Sequence, residues 1–144
     1  MKKNGFTLME LLVVIAIIGI LSSIVIASMT SARQKARDTK RISDVKQLQL
    51  ALALYADANS NHYPTTLGGL ETIYIQKVPS GTFFYAALAS VANGTPCISY
   101  HLGSTLEVTN NSALLDDSDA SAGNKCSGSA NDFAGTDPVF DVKP

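Results

Sequence analysis

The sequence predicts an α+β protein in which one long N-terminal helix lies against a small antiparallel β-sheet. Three observations carry that prediction. Residues 11–32 contain no charged side chain. Beyond them apolar residues recur at spacings of three and four, with no Pro or Gly between Ile20 and Tyr63. The remainder of the chain holds short runs of alternating apolar and polar residues, separated by Gly, Asn and Ser.

The uncharged stretch comes first. A helix over its 22 residues would be about 33 Å long, close to the roughly 30 Å hydrocarbon thickness of a bilayer. Apolar side chains all round such a helix require lipid or dense packing on every side. The segment therefore spans a membrane at some stage. A removable secretory signal is the obvious competitor, with weak Ser-x-Ala cleavage patterns near residues 23–27. Against it, the apolar run is long and a helical pattern continues past it.

In that continuation Ile42, Val45, Leu48, Leu52 and Tyr55 mark one apolar face, and Leu50 and Leu54 are read as widening it. The result is one helix of roughly 50 residues, unusually long for a globular domain, ending at Asn59-Ser60-Asn61. Residues 59–82 read as a loop region with a short helix around residues 70–74. Strand-like runs follow at residues 83–87, 97–102, 105–109 and 139–142. Ile98, Tyr100 and Leu102 alternate with Ser99 and His101, as on a sheet with one buried face. Gly103-Ser104 between two runs predicts a tight hairpin turn. Residues 110–137, rich in Asn, Ser, Asp and Gly, predict a long loop.

Charge is unevenly distributed. Charged residues make up 16% of the chain, against roughly 25% in a typical soluble domain. Residues 33–46 nevertheless carry six basic and two acidic side chains. Formal net charge is −1, and would be −3 without Lys2 and Lys3, so no overall basic field invites nucleic acid. Cys97 and Cys126 fit one disulfide in an oxidising compartment, with two buried thiols as the alternative. Zinc is disfavoured because His62 and His101 have no ligand-like spacing to them. No catalytic motif or phosphate loop is present, so the chain is read as a non-enzyme.

The opening residues, Met1-Lys2-Lys3-Asn4-Gly5-Phe6-Thr7-Leu8-Met9-Glu10-Leu11-Leu12, resemble those of the type IV pilin superfamily, which includes pilins and the pseudopilins of type II secretion. A short basic leader, Gly5, Phe6, Thr7, Leu8, Glu10 and the apolar run carry the likeness. It is close over roughly the first 30 residues and looser to Tyr55. Tyr63-Pro64-Thr65-Thr66 after the helix is similar to the G-type pseudopilins. The resemblance implies a prepilin with a leader over residues 1–5, cut after Gly5 by a membrane peptidase that then methylates Phe6. Residues 6–32 would be the transmembrane and later filament-core half of the helix. Residues 33–144 would form the C-terminal α+β domain.

On this reading the partners are further copies of the chain in a homopolymer, the prepilin peptidase/methyltransferase, and an inner-membrane assembly platform. Lys2 and Lys3 hold the leader in the cytoplasm. The six basic residues beyond the span argue for the opposite orientation. The resemblance and the cysteine pair place the C-terminal domain outside, first on the inner membrane and then in a periplasmic or extracellular filament. Glu10 is the assembly residue: a carboxylate beside an apolar core is costly, and pairing with the new N-terminal amine of a neighbour offsets that cost. Many family members loosen the helix between a glycine and a later proline. This chain has Gly19 but Ala27 in place of the proline, so close helix approach at Gly19 is an equal reading. G-type pseudopilins also carry calcium in a C-terminal loop, for which Asp116, Asp117 and Asp119, with Asp132 beyond, are the weak candidates. No other cofactor is implied. The alternative function is a minor pilin-like subunit that binds DNA or a surface through the residue 110–137 loop. Arg33, Lys35, Arg37, Lys40 and Arg41 are a further candidate DNA contact, read in preference as the solvated and inter-subunit face of the helix.

Overall fold

The computed structural model describes residues 6–144, in a first unit ending at Ala36 and a second comprising Arg37–Pro144. Helix α1 runs without interruption through Leu8–Ala58, 51 residues. Its start and stop are both chemically explicit. Thr7 caps the N-terminus, as described below. At the other end the Asn59 and Asn61 amides both donate to the Ala56 carbonyl, at 3.1 and 2.8 Å. Asn59 Nδ2 donates to the Tyr55 carbonyl at 2.8 Å. Ser60 and Asn61 then take positive φ of 56° and 59°, a left-handed exit that satisfies the last carbonyls and turns the chain away.

In the first unit, every described side chain from Phe6 to Arg33 is exposed. The helix is long and apolar enough to cross a membrane, and none of its apolar window is buried within the chain. A continuous apolar surface of this extent is incompatible with water. It demands lipid or other helices.

In the second unit α1 buries Val45, Leu48, Ala51 and Leu52 against Tyr100, Leu102 and Phe140, with Leu70, Leu106 and Leu114 closing the cluster. Leu50 and Leu54 do not join it. They are 64% and 50% exposed, because two residues along a helix is a rotation of about 200°. Counted from Leu48 and Leu52, they form a second ridge on the opposite side.

The sheet has three antiparallel strands in the order β1 (Phe84–Leu88), β2 (Ser99–Thr105), β3 (Val139–Val142). The expected hairpin at Gly103-Ser104 is absent. Gly103 sits in mid-strand, opposite Phe84 on one side and Asp141 on the other. Its glycine serves close approach instead of a turn. A Cβ there would lie 3.1 Å from the Phe133 ring and from the Phe140 carbonyl. Residues 105–109 are likewise no separate strand, since Thr105 ends β2 and the Glu107 and Val108 amides turn to Asp38. The helix expected around residues 70–74 is a single 3-10 turn at Leu67–Leu70.

Both faces of the sheet are covered. Tyr85, Tyr100, Leu102 and Phe140 face α1. Ala86, His101 and Asp141 are fully buried on the other face, where Phe133 of the long loop stacks on the His101 ring at 3.8 Å. The expectation of a wet face at His101 is thus overturned, while Ile98 at its edge remains 49% exposed. A disulfide joins Cys97, ahead of β2, to Cys126 in that loop across a sequence separation of 29.

Candidate functional site

Three places concentrate polar chemistry. The first is the start of α1. The Glu10 carboxylate accepts from the Thr7 amide at 2.9 Å and from the Thr7 hydroxyl at 2.8 Å, both through Oε2. The Glu10 amide donates back to Thr7 Oγ1 at 3.3 Å. This reciprocal arrangement is a capping box, in which two orphan helix donors are satisfied by one Thr-x-x-Glu pair. Among the described residues Oε1 takes no hydrogen bond. Phe6, one residue before the cap, is exposed. Gly5, the proposed cleavage residue, lies with Lys2 and Lys3 outside the described residues. The capping role of Thr7 was legible in the Thr-x-x-Glu spacing and went unread beside the pilin-like motif.

The second place is where α1 enters the globular unit. Asp38 is fully buried, and its two oxygens accept the amides of Glu107 and Val108, each at 2.9 Å. Arg41 bonds Asp38 at 3.1 Å and Glu107 at 2.8 Å, and Arg37 reaches Glu107 at 2.6 Å. The Arg37 guanidinium, followed by Arg41, holds the Glu107 carboxyl down at about 2. Two of the five cations considered for DNA are therefore engaged by acids of the same chain. Beside them opens a cavity of about 550 Å³ lined by Arg37, Lys40, Arg41, Asp44, Phe83 and Glu107 among others.

The third place is the loop between β2 and β3. Asp117, Asp119 and Asp137 bring one carboxylate oxygen each within 4.8 Å of one another. Asp117 Oδ2 accepts the Asp141 amide at 3.3 Å, and Oδ1 is buried without a partner. Burial first, then the charges of Asp141, Asp119 and Asp137, push the Asp117 carboxyl up to about 6. Asp116 is exposed and outside this group. Asp132 is also elsewhere: its Oδ1 lies 2.8 Å from His101 Nδ1. Asp137 was missed because it lies 18 residues beyond Asp119, and no local spacing signals their meeting.

A long apolar-headed helix on a three-stranded sheet, opened by a Thr-Glu cap, is a pilin-like arrangement. The family described as the prokaryotic N-terminal methylation motif matches residues 1–26. More particularly, the chain is similar to proteins named type II secretion system core protein G. It is 44% identical to that of Escherichia coli (strain K12) over 72 residues, covering 50% of this chain and 49% of that one. With the Klebsiella michiganensis protein it shares 40% over 85 residues, 58% of this chain and 59% of the other. With the Pseudomonas aeruginosa protein it shares 38% over 80 residues, 56% and 54%. The chain thus spans about half the length of the curated relatives it matches. No solved structure matches the chain significantly.

Proposed function

We propose that this chain is a structural subunit, a pseudopilin of a type II secretion-like filament, made as a membrane-anchored precursor and cut between Gly5 and Phe6. The observation that carries the reading is the Thr7–Glu10 cap set at the head of a helix whose described apolar side chains are all exposed as far as Met29. The cut lies outside the capping box. Cleavage therefore leaves the cap intact and adds a cationic amine one residue before it, at the already positive end of the helix dipole. Glu10 holds its own Thr7 through one oxygen and offers the other to the amine of a neighbouring copy. Apolar helices then leave lipid and bury one another. No catalytic role is assigned to the chain.

The C-terminal domain lies outside the inner membrane on this reading, where the disulfide is stable. The peptidase/methyltransferase and an assembly platform act on the N-terminal segment. Calcium fits the acidic loop: Asp117, Asp119 and Asp137 supply hard oxygen ligands, and the buried, partnerless Asp117 oxygen is the kind of acceptor that a cation satisfies. Bound there, it would neutralise three crowded carboxylates.

The decisive comparison is Glu10→Ala against Glu10→Gln in cells expressing the secretion machinery. Both variants should insert in the membrane and be cleaved to a Phe6 N-terminus by mass spectrometry, and neither should yield sheared filaments. Normal filaments from either variant would remove the proposed role of Glu10. An uncut Met1, or a cut near residue 27, would remove the precursor reading itself.

A further inference from the structure

His101 lies in the middle strand with its side chain fully buried between two carboxylates. Nδ1 meets Asp132 Oδ1 at 2.8 Å and Nε2 meets Asp141 Oδ2 at 2.7 Å. An ionised carboxylate only accepts hydrogen bonds, and a neutral imidazole has one N–H and one lone pair. A neutral ring would therefore set a lone pair against one of the two anions. With both carboxylates ionised, the two contacts are satisfied together only when each nitrogen carries a proton. The Phe133 ring, 16° from parallel at 3.8 Å, places a π face on the ring, which favours the cation.

Each flanking carboxylate also fastens a different part of the long loop. Asp141 accepts the amides of Asp119 and Ala120 at 3.0 and 3.2 Å. Asp132 accepts those of Gly123 and Phe133 at 2.6 and 2.9 Å. Gly135 closes over Asp141 so tightly that a Cβ there would collide with the carboxylate. One histidine thus joins, through two acids, a segment from 119 to 123 to the central strand.

We propose that His101 is an internal imidazolium and the positioning residue of the acidic loop: a built-in cation that orders residues 119–123, and with them the Asp119 carboxylate, without any metal. Asp132 and Asp141 flank the same ring, and Asp141 lies beside Asp117, so without a cation between them their like charges would repel and loosen the loop from the sheet. Loss of one ring proton turns one of the two attractive contacts into a repulsive one. The groups that face the ring are Asp132 from the loop and Asp141 from β3. Asp117 is joined to the latter's amide, and the residue paired with His101 on β1 is the uncharged Ala86.

The test uses the full-length chain in detergent micelles with EDTA present, so that the outcome is independent of the calcium reading. Nitrogen-15 spectra of the His101 ring should show both nitrogens protonated at neutral pH. In His101→Gln the protection of the Asp119, Ala120 and Gly123 amides, corrected for intrinsic exchange, should fall about tenfold or more. If this variant does not fold, Asp132→Asn serves, since its ring faces one anion and should show one protonated nitrogen and one lone pair in the same spectra. A neutral ring tautomer in the wild type at neutral pH would overturn the proposal. So would amide protection that is unchanged in His101→Gln, or a ring in Asp132→Asn that is protonated on both nitrogens.

Discussion

Glu10 and Asp38 are both carboxylates of α1 that accept backbone amides, yet they were unequally readable. Glu10 announces itself, because a charge at the edge of an uncharged run needs a reason and Thr7 stands three residues before it. Asp38 sits among six cations and reads as one more solvated helix charge. Its burial follows from Glu107 and Val108, 69 and 70 residues away, which no local pattern encodes. Asp38→Ala should lower stability by about 3 kcal/mol in denaturant titration of the full chain, since two amides and Arg41 lose one acceptor. Asp38→Asn, which keeps a single carbonyl oxygen in place, should cost less than the alanine variant. The burial of His101 escaped for a related reason: alternation identifies a polar residue on a strand face but cannot tell water from buried hydrogen-bond partners.

At the level of elements, α1 was legible almost to its ends, because length, periodicity and the Asn-Ser-Asn stop all agree. The sheet was legible in β1 and β3, whereas β2 was cut short by reading Gly103 as a turn residue. Glycine marks both turns and close backbone approach, and only the rings and strands around it decide which. The two apolar ridges of α1 give a direct check. Leu52→Ala should destabilise the globular unit by about 2–5 kcal/mol. Leu50→Ala should change its folding stability by no more than about 0.5 kcal/mol. The Cys97–Cys126 bridge closes a span of 29 residues. Replacing both cysteines with serine should therefore cost about 3–4 kcal/mol on the chain-entropy account, measured by thermal unfolding under non-reducing conditions.

For the whole molecule, acidity acts in two opposite directions. Asp117 is raised from 3.8 to about 6, so the folded state holds its proton longer than the unfolded chain. That contribution is complete below about pH 4 and is lost as pH rises through about 6. Glu107 is lowered from 4.5 to about 2; its contribution is present above about pH 4.5 and is lost as pH falls towards 2. Melting temperature in EDTA should therefore decline from pH 4 to 6, and Asp117→Asn should flatten that decline. Millimolar calcium at pH 7 should restore the lost stability in the wild type by mass action and leave Asp117→Asn unchanged. A calcium effect of equal size in the variant would exclude Asp117 as a ligand.

In the proposed filament the chain would be a tensile component, and α1 is its one covalent path from the apolar segment into the globular unit. The first residues of that unit, Arg37, Asp38 and Arg41, are tied to Thr105 at the end of β2 and to Glu107 and Val108 just past it. A pull on the start of this unit is thereby delivered to the end of the central strand, which is hydrogen-bonded on both sides. Single-molecule stretching from the N-terminus should find that Asp38→Ala lowers the unfolding force, a loss that would show as filaments shearing under flow while remaining intact at rest.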